Sequence, residues 1–146
     1  MHRVVRKLVF LLPVLFLAVA AADSDTRRLV EFPPMLRQHM LGNMRDHLLA
    51  ITEIQQALSA ADFDRAAEIA EKRIGMSSLT SHDASHMAAY MPDEMQAIGT
   101  RMHQAASRFA VIAEESAVDG DIRKAIGALS QVTAQCVACH SAFRAR

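Results

Sequence analysis

The chain has 146 residues, with 16 Lys and Arg against 16 Asp and Glu, and two cysteines. That length bounds it to about one domain of ordinary size. A formal net charge of zero at pH 7 excludes the broad basic footprint that nucleic acid requires.

Residues 1–7 are basic, and an apolar run over residues 8–19 ends in Ala20-Ala21-Ala22 before Asp23. A basic start, a short apolar stretch and a small-residue cleavage site describe a secretory signal peptide, residues 1–22, cleaved near Ala22. The apolar run is short for a spanning helix and lacks a stop-transfer flank; the alternative is an uncleaved anchor. Cleavage removes Arg3, Arg6 and Lys7 and no acidic residue, so the domain over residues 23–146 carries a formal charge of −3. The expected address is the periplasm.

Residues 23–32 are mixed and polar, and Pro33-Pro34 blocks a helix before it while fixing a starting point after it. The spacing predicts a first helix from residue 34 or 35 to residues 59–61, with Leu36, Met40, Met44, Leu48, Ile51, Ile54 or Gln55, and Leu58 facing inward. Asp62 is the expected N-cap of a short, alanine-rich second helix, with Asp64 and Glu68 early, Lys72 and Arg73 late, and Gly75 just past its end. Residues 76–91 break the period with turn and cap residues and read as a long connection holding one helical turn around residues 84–90.

A third helix follows over about residues 93–117, with Met95, Ile98, Met102, Ala105, Phe109, Ile112 and Ala113 inward and Gly120 making the last turn. The fourth begins near Asp121 and carries Ile122, Ile126, Leu129, Thr133, Cys136, His140 and Phe143 at alternating spacings of four and three, a heptad-like seam. No run shows a convincing strand alternation. Four amphipathic helices joined by mostly short loops predict an all-α chain, an antiparallel four-helix bundle, whose cofactor sites are built from side chains on facing helices.

The motif that organises the chain lies at its end, Cys136-Val137-Ala138-Cys139-His140. A Cys-x-x-Cys-His run reads as a c-type haem attachment site, both sulfurs bonding covalently to the porphyrin and the histidine ligating the iron. On a helix, residues three and four apart share a face, so Cys136, Cys139 and His140 can meet one flat macrocycle. A redox dithiol needs a thioredoxin-like context, and a zinc site needs more Cys or His at ligand spacing. Both cysteines are spent on the haem, which leaves none for a disulfide. The cysteines and the histidine continue the inward stripe, so the haem is expected inside the bundle near one end. Export and attachment agree, because c-type haem is attached outside the bacterial cytoplasm.

With its leader, its four helices and Cys136-x-x-Cys139-His140-x-x-Phe143-Arg144, the chain resembles the class II cytochromes c, the cytochrome c′ family, over essentially all of residues 23–146. The resemblance implies one covalently attached haem c with His140 as the axial iron ligand, and a sixth position facing the first helix. It is closer to the low-spin branch, electron carriers with methionine on the iron, than to the five-coordinate branch that takes up nitric oxide or carbon monoxide. Three methionines are candidates: Met40, then Met44, then Met35.

Arg37-Gln38 matches an Arg-Gln pair that the family often shows before the sixth position. The family's usual interval lands on Leu41, which leaves the inward stripe, whereas Met40 lies on it. The resemblance also gives Arg37 a contact with a haem propionate, and it implies periplasmic redox proteins as partners and a homodimer among the assemblies open to the chain.

Three functions follow as expectations: single-electron transfer without enzyme activity, gas binding as the alternative, and a haem enzyme as the least supported, since no distal acid–base group is evident beyond His39. The other histidines read as solvated at His39, His47 and His103. His82 and His86 stand four apart and are followed by Met87, Met91 and Met95, a soft donor set that also suits copper.

Overall fold

The structure, a computed structural model, describes residues 25–146; the expected leader and its cleavage point lie outside the described residues. The fold is mostly helical. In chain order it comprises β1 (Arg28–Val30), α1 (Pro34–Ser59), α2 (Phe63–Arg73), a 3-10 turn (Met76–Ser78), α3 (Ala84–Ala88), α4 (Asp93–Asp119), α5 (Ile122–Ala142) and β2 (Phe143–Ala145). Among the described residues, no helix is long and apolar enough to cross a membrane.

Local chemistry sets the helix ends. Pro33 is extended (ψ 145°) and Pro34 occupies the first turn of α1, where a missing N–H costs nothing. Asp62 caps α2 by accepting from the Arg65 amide at 3.1 Å, with Asp64 in the first turn and Lys72 and Arg73 in the last, each opposing the end charge of the helix. Pro92 (ψ 148°) starts α4, with Asp93 and Glu94 in its first turn. Gly120 ends it in the left-handed conformation (φ 71°), its amide donating to the Ser116 carbonyl at 2.8 Å. Asp121 then caps α5 through the Arg123 and Lys124 amides.

Gly75 follows Ile74, the residue that caps α2, but with φ −66° its freedom from a side chain serves space rather than a left-handed turn. A Cβ there would meet the Glu71 carboxylate and come within 2.8 Å of Glu71 Cα.

Two elements were not legible as strands. β1 and β2 pair in parallel, Arg28 opposite Phe143, Leu29 opposite Arg144 and Val30 opposite Ala145. The Arg146 amide donates to the Val30 carbonyl at 3.0 Å, and the Phe32 amide to the Arg146 carbonyl at 3.2 Å. The expected continuation of the last helix through Phe143 is therefore corrected: the helix stops at Ala142, and Phe143 is extended (φ −128°, ψ 152°) and buried. The backbone of residues 143–145 instead finds its partners in β1.

The inward faces also differ from those expected. On α1 the buried set is Met40, His47, Ala50, Ile54, Ala57 and Leu58, while Leu48 is 69% exposed. On α5 it is Ala125, Leu129 and Val132, continued by half-buried Cys136 and Cys139 and buried Phe143, whereas Ile122 and Ile126 face outward. The seam keeps its alternation of four and three but is rotated so that both cysteines lie in it.

α4 packs along α5 and α2, and α2 along α1. The apolar interior forms two clusters. The larger is built round Ile54, Phe63, Ile74, Phe109, Leu129 and Val132, with Cys136 against it. The smaller joins Val30, Phe32, Met40, Met87 and Phe143, with Met44, Met91, Met95 and Cys139 against it.

Two glycines test this packing in opposite directions. Gly75→Ala is expected to lower stability by about 1–3 kcal/mol, because the added carbon forces the Glu71 turn to shift. Gly127→Ala, in the middle of α5 with nothing within 4 Å of the new carbon, is expected to raise it by about 0.5–1 kcal/mol. Urea unfolding of the two variants checks both signs.

Candidate functional site

Cys136, Cys139 and His140 occupy the last two turns of α5. Both thiols are free of disulfide and half-buried. Burial pushes each of them above the ordinary thiol range, and for Cys139 the neighbouring Cys136 adds to the effect. They are held as neutral S–H groups, and Cys136 Sγ lies 3.7 Å from the Val132 carbonyl.

His140 is exposed at the helix end, and its carbonyl accepts from Arg27 Nη1 at 3.3 Å. Asp25 in turn accepts from Arg27 at 2.6 Å and lies 3.9 Å from Arg144 Nε. The Arg27 side chain first, then its amide, hold the Asp25 carboxyl far below the ordinary carboxylate range. The chain's first described residues are thus tied to the end of the motif helix by charge as well as by strand pairing.

All three motif residues line a cavity of about 540 Å³, within the size range of small-molecule and cofactor sites. Its walls come from α1 (Met40, Met44, His47), the segment between α2 and α4 (Leu79, His82, Met87, Met91), α4 (Met95, Ile98, Met102, His103) and α5 (Val132, Cys136, Cys139, His140). No Asp, Glu, Lys or Arg contributes to the lining. Cys136 borders the larger apolar cluster and Cys139 the smaller, so the cavity lies where the two meet. Two thiols and one imidazole presented to a largely apolar space form a donor set that can attach and ligate a flat apolar macrocycle.

The candidate partners separate clearly. Met40 is buried and Met44 half-buried, and both line the cavity from the same face of α1. Met35 is 83% exposed and lies outside it. Arg37 is exposed and contributes nothing to the lining. His82 lines the cavity, but His86 is exposed and pairs with Asp83 at 3.1 Å, so the His82/His86 pair is not brought together there.

Two of the histidines read as solvated are buried, His47 with 6% and His103 with 9% of its surface exposed. With His82 they form one group, ring centroids 4.8 Å apart for His47–His82, 5.5 Å for His82–His103 and 6.1 Å for His47–His103. His103 Nδ1 donates to the Ile74 carbonyl, and His82 Nδ1 bonds to the Ser78 hydroxyl at 3.3 Å. His39 Nε2 and Asn43 Nδ2 both donate to the His82 carbonyl, at 3.1 and 3.3 Å. Arg73 anchors α2 to α1 beside this group through Asp46 and Glu53.

A signal for both buried histidines was present in the sequence. His47 continues Met40 and Met44 at spacings of four and three, and His103 belongs with Gly99, Ala106 and Ala110.

Burial first, then the neighbouring His82 and His103, hold the His47 imidazole down to about 4 from an ordinary 6.5. Burial also lowers His82. A folded state that refuses a proton the unfolded chain accepts loses stability as pH falls from 6.5 towards 4, and is insensitive to this group above that window. Stability to urea is expected to drop by on the order of 3 kcal/mol from pH 7 to pH 4 on account of His47. His47→Gln should remove that part of the slope. Identical slopes in the variant and the parent would contradict this reading.

Among the described residues, no group of three or more His, Cys, Asp or Glu side chains is arranged, as it stands, to hold a metal ion. In the comparisons with known proteins, no family model, no curated protein and no solved structure matches the chain.

Proposed function

We propose that this chain is a periplasmic c-type cytochrome of the class II kind, an antiparallel four-helix bundle that carries single electrons through one covalently attached haem c. The observation that carries the reading is that Cys136, Cys139 and His140 line one apolar cavity together with Met40 and Met44. The packing order α1–α2–α4–α5 and the short connections at residues 60–62 and 120–121 support the bundle.

The bound group supplies a couple between ferrous and ferric iron. The chain supplies the rest. Cys136 and Cys139 would attach the group, His140 would ligate it from α5, and Met40 would ligate it from α1. The methionine-rich wall of Met87, Met91 and Met95 excludes water and adapts to an irregular shape. A low-dielectric wall and a thioether ligand both favour the reduced state, so this arrangement suits a carrier of raised potential.

Strand pairing supports Met40 as the distal ligand. It sets Arg28, which precedes α1, opposite Phe143, which follows α5, and so ties the entry of the first helix to the exit of the last. Met40 lies about 9 Å along the helix from Pro34, and His140 about 3 Å from Ala142, at 1.5 Å per residue. Met44 is one turn deeper, and Met35 points to solvent. The proposed partners are redox proteins of the same compartment, reached after removal of the leader.

Met40→Ala is expected to leave the haem covalently bound, to convert the iron to a high-spin form that binds carbon monoxide, and to lower the midpoint potential; ferric and ferrous optical spectra and a redox titration check this. Conversion in Met44→Ala instead would move the ligand by one turn. A parent protein that is already high-spin would replace the carrier with the five-coordinate gas-binding alternative.

A further inference from the structure

His47, His82 and His103 line the cavity from three separate elements, α1, the segment before α3, and α4. Their three centroid separations define a triangle whose in-plane equidistant point lies about 3.2 Å from each ring centre. An imidazole bound to a divalent cation at about 2.0–2.1 Å has its ring centre roughly 3.2 Å from the ion. The three rings are therefore spaced as ligands of one ion are spaced.

The hydrogen bonds fix which nitrogens are available. A carbonyl only accepts, so His103 Nδ1 carries the proton towards Ile74 and its Nε2 keeps a lone pair. The Ser78 hydroxyl spends its hydrogen on the Gly75 carbonyl at 2.7 Å, so it accepts from His82 Nδ1, and His82 Nε2 keeps a lone pair too. Such outer contacts are what orient metal-bound imidazoles. His47 is more than nine-tenths buried, and neither of its ring nitrogens has a hydrogen-bond partner. Unpartnered buried polar atoms are costly and rare. A cation held between the three rings would give His47 the partner it lacks.

We propose that His47, His82 and His103 form a site for one divalent transition cation of the zinc class, with its fourth position open to the cavity. Three neutral imidazoles without a carboxylate or thiolate suit zinc, copper and nickel, and three protein ligands with one open position is the pattern of zinc sites that bind a further small ligand. As the rings stand, no such group is arranged to hold an ion: the ring centres are in place and the nitrogens are not. Turning an imidazole about its Cβ–Cγ bond, a broad torsion, swings the nitrogens while the ring centre stays on the axis. His47 has no hydrogen bond to break in doing so. The site goes beyond the cytochrome reading and keeps its ligands whether or not Cys136 and Cys139 carry a group.

The test is a calorimetric titration of the purified, chelator-treated mature protein with zinc chloride, beside variants His47→Gln, His103→Gln and His86→Ala. One equivalent is expected to bind to the parent and to His86→Ala, which removes an exposed histidine outside the group. Binding should weaken at least about 100-fold in the two glutamine variants, and zinc should raise the Tm of the parent but not of those variants. If His103→Gln fails to fold, by far-ultraviolet circular dichroism, His47→Gln decides alone. Absence of a one-equivalent site in the parent, or equal binding in parent and His47→Gln, overturns the proposal. Covalent haem is scored separately on the same preparation, so failure of one reading is distinguishable from failure of the other.

Discussion

The arrangement depends on a short parallel pairing of the chain's two ends. β1 and β2 are three residues each, yet their backbone bonds, with those of Phe32 and Arg146, tie the segment that leads into α1 to the segment that leaves α5. The pairing also buries Val30, Phe32 and Phe143 together, which makes the smaller apolar cluster and seats Met40 and Cys139 against it. Arg27 adds a bond to the His140 carbonyl, so the same segment also tethers the end of the motif helix. Exposed ion pairs here are worth little individually; the weight rests on strand pairing and apolar contact.

The chain has two apolar clusters, and the cavity between them is where its chemistry is gathered. A flat apolar group held there would touch both, joining Val132 and Met102 on one side to Met40 and Met87 on the other. That would add apolar burial to a domain small enough to need it. The cavity's lining gathers Met40, Cys136, Cys139 and His140, which the cytochrome proposal uses, and His47, His82 and His103, which the cation proposal uses.

Helix boundaries were legible because they are written in local chemistry: Pro33-Pro34, Asp62, Pro92, and Gly120 followed by Asp121 all act within a turn of where they stand. The motif residues were legible for the same reason, since their spacing is a property of one helix. Three-residue strands are too short to show a period, and their partner lies at the other end of the chain. The rotation of α5 was hidden by size. Large residues such as Ile126 dominate a periodicity count, whereas closely packed helices favour small ones, and the buried positions facing α4 include Ala125 while Ile126 is 53% exposed. His47 and His103 were misread because polarity was taken as exposure. Their helical spacing to Met40 and Met44, and to Ala106 and Ala110, already set them on inward faces.

The most direct measurement of the central claim is the intact mass of the denatured protein, produced in a host that attaches c-type haem outside its cytoplasm. The account predicts a chain beginning near Asp23 and heavier by one haem, with the added mass on the peptide that contains Cys136 and Cys139. A mature chain of unmodified mass with two free thiols would contradict it.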